Sequence, residues 1–218
     1  MNASERRAQV VAAFLPMTML VTDSARRGDR ALDDVVAAAL EGGVNCVQLR
    51  DRSGPRDELV ALASRLREIT RGRALLLVNT SIDAAAVADG VHLPEGAGAV
   101  AQARAALGET AIVSRAVHSI DAAVRADREG ADMLVFGPLF ETASHPGRPG
   151  AGIDALRDVC AAVSVPVIAI GGVTPANAAA ALHGGAAGIA VIGAIFDAPD
   201  PRAAAAALHN AVAAPARR

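Results

Sequence analysis

The sequence predicts a closed eight-fold β/α barrel, and three observations carry that prediction. Short apolar, β-branched runs recur along the whole chain, and Ala-, Leu- and Arg-rich stretches of helical character separate them. Strands alternating with helices pair in parallel through crossovers, and eight of them close a barrel. The third observation is a pair of strand–glycine units near the C-terminus, VPVIAIGGVTP (Val165 to Pro175) and AGIAVIGAIF (Ala187 to Phe196). Successive units of this kind late in a β/α chain commonly hold a phosphate, because a helix start offers unpaired N–H groups to an anion. The rival architecture is an open doubly wound sheet. It is weakened because no G-x-G-x-x-G follows the first strand.

Taken in order, residues 1–15 read as an N-terminal extension and Met17–Thr22 as the first strand. Further strands are expected at Val44–Arg50, Ala74–Val78, Gly90–Leu93, Ala111–Arg115, Asp132–Phe136, Val165–Ile170 and Gly188–Val191. Between the second and third, Leu59, Leu62, Leu66 and Ile69 recur at helical spacing, with Gly72 as the stop. The stretch Glu141–Gly152, rich in Gly, Pro and small polar residues, reads as a mobile loop able to close over a barrel mouth. Its alternative is an ordinary surface loop. Arg202–Ala214 reads as a last outer helix and residues 215–218 as a frayed tail, so the 218 residues form one domain.

Composition narrows the function. The formal net charge is -2 and there is no Trp or Tyr, which excludes a basic nucleic-acid surface and an aromatic stacking platform. Cys46 and Cys160 lie inside apolar runs, as buried thiols do, and two cysteines make no metal-site spacing. VVAAFLPMTMLV after Arg6-Arg7 has a superficial look of a signal peptide, but Pro16 interrupts it and no A-x-A-like site follows. No run reaches the ~18 to 20 apolar residues of a membrane span. A cytoplasmic protein is the simplest expectation, without membrane or nucleic-acid partners.

Barrel chemistry sits at the C-terminal ends of the strands. The residues expected there are Gln48, Arg50 and Arg52 after the second strand, Asn79 after the third and His92 on the fourth. The fifth supplies Ser114 and His118; the sixth, Thr142, Ser144 and His145; the seventh and eighth, Gly171, Gly172, Gly193 and Ala194. This is an anion-binding set with one or two proton shuttles and no Cys/His metal cluster. Arg50 and Arg52, two apart, can point one way, and a guanidinium fork suits phosphate or carboxylate. Their alternative is solvated loop charge paired with Asp51 or Asp57. His118 reads equally as a proton shuttle working near neutral pH or as a satisfied structural histidine. His92 reads as core or site, while His183 and His209 read as surface or capping residues.

Taken together, the stretches VQLRDR, VNTSIDAAA, ADGVHLPEG, VSRAVHS, ADMLVFGPLFET, VPVIAIGGVTP and GIAVIGAIF resemble the thiamine phosphate synthase superfamily, including its TenI-like thiazole tautomerase branch. The likeness runs from MLVTD onward. It implies an eight-fold β/α barrel acting on a thiazole phosphate in thiamine biosynthesis. Synthases of the family join a pyrimidine pyrophosphate to the thiazole phosphate and use magnesium. Where they read NDR this chain has Asn79-Thr80-Ser81, and a second liganding aspartate is replaced by Ala97. Glu95 is the nearby acid. Of two pyrophosphate-associated lysines, one position holds Arg52 and the other His145. Magnesium prefers hard carboxylate oxygens, which Thr80 and Ala97 lack.

The resemblance therefore implies a tautomerase more than a synthase. It would act without a cofactor or metal, with His118 as proton shuttle, Gly172 and Gly193-Ala194 holding the phosphate, and Thr142 and Ser144 near the ligand. The alternatives are a synthase with a remodelled metal site, a non-catalytic barrel binding a pathway metabolite, and a different phosphate-binding barrel isomerase. Oligomeric state is not legible, although a homodimer suits a small barrel of this kind.

Overall fold

The computed structural model describes residues 1–51, 55–142, 147 and 149–213. The eight strands are β1 (Met17–Val21), β2 (Cys46–Leu49), β3 (Leu75–Asn79), β4 (Gly90–Leu93), β5 (Ile112–Val117), β6 (Met133–Phe136), β7 (Val167–Ile170) and β8 (Gly188–Val191). They pair in parallel in chain order, and β1 closes on β8. The helices are α1 (Ala3–Ala12), α2 (Leu32–Glu41), α3 (Arg56–Thr70), α4 (Ile82–Ala85) and α5 (Val100–Leu107), then α6 (Ile120–Arg128), α7 (Gly152–Ala162), α8 (Ala178–His183), α9 (Gly193–Phe196) and α10 (Pro201–Ala213). The expected fold class is the observed one.

Period-two alternation along each strand makes two cores. Met17, Met19, Cys46, Leu75, Leu77, Ile112, Met133 and Ile168 fill the barrel interior. Leu20, Val47, Leu76, Val91, Val113, Leu134 and Ile189 face the helices. Each such fully buried aliphatic side chain contributes roughly 1.5–3 kcal/mol. Both cysteines are free thiols, and burial raises the pKa of Cys46 strongly and that of Cys160 as well.

Strand ends differ from the sequence expectation where backbone bonding decides. Val44 precedes β2 because its N–H bonds Ala39 O and completes the end of α2. Pro166 cannot donate to a ladder, so β7 starts at Val167. β5 extends to Val117, which places His118 directly at its exit.

The N-terminal extension contains a helix. Asn2 and Glu5 form a reciprocal capping box at the start of α1. Val11, Phe14 and Leu15 then pack onto the interior core. Arg7, buried, donates to Asp132 Oδ1 at 2.7 Å and to Glu109 O at 2.5 Å, ahead of β6 and β5. The helix thus stoppers the end of the barrel where the strands begin. Arg52, Ser144, His145 and the 215–218 tail lie outside the described residues, as does part of the expected loop over Glu141–Gly152.

Candidate active site

Two halves of the barrel's C-terminal mouth differ in chemistry. On the β2–β5 half, interior-facing Gln48, Asn79, His92 and Ser114 stand on adjacent strands, with Asn79 opposite His92 and His92 opposite Ser114. His92 Nδ1 lies 3.0 Å from Ser114 Oγ. Burial first, then the charges of Arg115 and Arg50, lower the His92 pKa to about 3. His92 is therefore neutral at physiological pH and does not shuttle protons there. Arg50 is held by its own backbone, whose N–H bonds Thr22 Oγ1 at 2.9 Å while its carbonyl accepts from that hydroxyl at 3.1 Å. Arg115 donates to Gly98 O and Ala97 O at 2.9 and 3.2 Å. Arg50 and Arg115 thus stand close enough to His92 to oppose its protonation.

The β6–β8 half is rich in glycine, so its backbone is accessible. A cavity of about 420 Å³, within the usual ~300–1,000 Å³ of small-molecule pockets, is lined by His118, Thr142, Gly171, Gly172, Gly193 and Ala194 among others. Gly171 and Gly172 both have left-handed φ, 100° and 64°. A Cβ on Gly171 would lie 2.7 Å from Pro138 Cα, and one on Gly172 would lie 2.3 Å from Glu141 O. Glycine is thus required first by the 138–141 segment packed against it, rather than by a ligand coming close. Leu139 N–H to Ile170 O and Phe140 N–H to Gly171 O zip the two segments together. Asn177 closes the next turn: its Oδ1 accepts from Thr174 N–H at 2.7 Å and its Nδ2 donates to Gly172 O at 2.9 Å. At the end of β8, the first N–H groups of α9 have no partner within the helix.

His118 joins the halves. Its Nδ1 bonds the carbonyl of Gly137. A carbonyl only accepts, so Nδ1 carries the proton and the neutral ring keeps its lone pair on Nε2. Glu95 Oε2 lies 3.6 Å from Nε2, and the two side chains are 36% and 57% exposed respectively. A histidine fixed at one nitrogen, facing a carboxylate at the other and opening into a cavity, is equipped to take up and return a proton.

Several expected site residues fall elsewhere. Gln48, 3% exposed, and Ser114, fully buried, belong to the barrel interior and do not line the cavity. Gln48 stands one residue and Ser114 three residues before the end of its strand, with the side chain in the barrel interior. The Asn79 amide turns aside to donate to Thr80 Oγ1 at 3.0 Å. His209 is half-buried rather than fully exposed: its ring packs so closely on Gly43 that a Cβ there would lie 2.6 Å away. His183 is exposed, as expected. Arg26, Asp197 and Glu141 also line the cavity. Arg26 follows β1, so the strand-exit rule that picked out Arg50 finds it too once it is applied to the first strand.

The fold and this mouth define an eight-fold β/α barrel with a glycine-lined, histidine-bearing cavity. The sequence matches the thiamine monophosphate synthase family (TMP-TENI) over residues 18–195. It is 40% identical over 198 residues to a thiamine-phosphate synthase of Roseiflexus sp. (strain RS-1), covering 89% of this chain and 84% of that protein. It is 43% identical to the thiamine-phosphate synthase of Natronomonas pharaonis, covering 88% and 93%. The solved thiamine phosphate pyrophosphorylase of Pyrococcus furiosus superposes with a TM-score of 0.82 at 32% identity, covering 95% of this chain and 97% of that one. The chain belongs to the thiamine monophosphate synthase family and is a barrel enzyme of thiamine biosynthesis. These relatives bear the synthase name rather than that of the tautomerase branch. Among the described residues, no helix is long and apolar enough to cross a membrane.

Positions 80 and 97 do not offer the carboxylates with which the family's synthases would hold magnesium. At position 80 stands a threonine with a left-handed φ of 67°, its hydroxyl engaged by Asn79 and its N–H by His92 O. At position 97 stands a methyl group, with the carbonyl taken by Arg115. Glu95, the nearby acid, faces His118. Among the described residues, no three His, Cys, Asp or Glu side chains gather into a metal-holding group.

Proposed function

We propose that this chain is a thiazole tautomerase, aromatising a thiazole carboxylate phosphate by proton transfer through His118. The observation that carries the reading is the pairing of a tautomer-fixed His118 and its Glu95 neighbour with carboxylate-free positions 80 and 97. The tautomer shift moves one proton from carbon to another atom of the same molecule and needs no displaced pyrophosphate. The substrate phosphate would rest on the backbone at Gly171-Gly172 and Gly193-Ala194, beside Thr142. The substrate carboxylate would face the Arg50 side of the mouth. Glu95 would stabilise the imidazolium formed when Nε2 takes the proton.

The test supplies the non-aromatic thiazole carboxylate phosphate and follows aromatisation by absorbance, with chelator and with magnesium. Equal rates in both, and a loss of roughly 10²–10⁴-fold in His118→Ala, are expected for a positioned acid/base. Magnesium-dependent formation of thiamine phosphate, or a His118→Ala protein as active as the parent, overturns the reading. The second reading is the coupling reaction itself, favoured by the names of relatives near 40% identity. It requires a metal held by donors other than residues 80 and 97.

A further inference from the structure

We infer that Arg26 is a phosphate-binding residue of the cavity and that its present partner, Asp197, is exchanged for the phosphate when substrate binds. This rests on the reading that the cavity takes a phosphomonoester, and it does not depend on which reaction follows. Arg26 and Asp197 line the cavity together with Gly171, Gly172 and Gly193. Arg26 Nη1 lies 2.7 Å from Asp197 Oδ2, and its Nε lies 3.6 Å from Asp23 Oδ2. A Cβ placed on Gly193 would be 3.3 Å from that Nη1 and 2.6 Å from Asp197 Oδ2. The guanidinium therefore sits directly over the backbone segment where the phosphate would rest.

The pair is not needed to fasten this part of the fold. Arg30 does so independently, donating to Ala198 O at 3.0 Å and to Phe196 O. Those two bonds tie the segment after β1 to the end of α9. The Arg26 and Asp197 side chains are 30% and 55% exposed, and a pair so open to water contributes little. A guanidinium-to-phosphate fork is charge-assisted and geometrically matched, so the exchange favours the phosphate. Asp23, on the far edge of the guanidinium, keeps it aimed while its terminal nitrogens change partner. Asp197 meanwhile places a negative charge beside the incoming dianion and lowers its affinity.

The two ends of the bridge therefore make opposite predictions. Calorimetry with inorganic phosphate and with thiazole phosphate, on the full chain, measures both. Arg26→Gln is expected to weaken both ligands at least tenfold, whereas Asp197→Asn tightens them severalfold. Dephosphorylated thiazole alcohol should bind all three proteins alike. A purely structural bridge predicts equal weakening by either substitution, and that result, like an unchanged Arg26→Gln, overturns the inference. Melting curves establish that each variant is folded. Binding of neither phosphate ligand by the wild type overturns the phosphate reading of the cavity along with it. Wild-type binding with indifferent variants removes Arg26 alone.

Discussion

His92 shows how a single side chain carries an environmental cost that becomes visible only in acid. Its folded pKa is depressed from 6.5 to about 3, chiefly by burial and then by Arg115 and Arg50. Above pH 6.5 the ring is neutral in both the folded and unfolded chain and contributes nothing to pH dependence. As pH falls below 6.5, the unfolded chain binds a proton that the folded one refuses, so stability is lost down to about pH 3. At pH 4.5, two units below the unfolded value, this amounts to about 3 kcal/mol. Urea unfolding at pH 7 and 4.5 should show His92→Asn losing less stability between the two than the parent does. An identical loss would mean that His92 titrates normally in the fold. Residue identities were legible where the strand-exit rule applies: it selects His118, Gly171, Gly172 and Gly193. The rule is blind to which exit residues turn away, since the Asn79 rotamer and the His118–Glu95 contact arise from chain segments distant in sequence.

At the scale of elements, the segment after β7 is the joint on which the phosphate reading depends. Asn177 bonds both Thr174 N–H and Gly172 O, so one side chain sets the curvature of that whole segment. Asn177→Ala removes two hydrogen bonds of about 0.5–1.5 kcal/mol each. The expected outcome is roughly tenfold weaker thiazole phosphate binding with a modest fall in melting temperature, read by calorimetry and thermal denaturation. Unaltered affinity would place the phosphate elsewhere. All eight strands were legible because burial on both faces of a parallel sheet writes continuous apolar runs. Their ends were less so. Val44 is apolar yet serves to finish α2, a role set by its hydrogen bond rather than its side chain. The helix over residues 3–12 was hidden for a different reason. Its run of polar residues carries little amphipathic signal, and its start rests on the reciprocal bonds of Asn2 and Glu5.

For the molecule as a whole, a buried charge cluster ties the N-terminal helix to the sheet. Asp132 accepts from Arg7 Nε at 2.7 Å, Arg104 Nη2 at 3.0 Å and Val113 N–H at 2.8 Å. Removing one member of such a cluster leaves the others desolvated without compensation. Asp132→Ala should therefore lose about 3–5 kcal/mol of stability in chemical denaturation, while ligand affinity in the still-folded fraction is preserved. A loss below about 1 kcal/mol would put the cluster among ordinary surface pairs. The stopper formed by α1, with the methionines and leucines stacked above it, fills the barrel from its lower end. Substitutions at that floor should therefore register as lost robustness, and those at the opposite rim as altered chemistry.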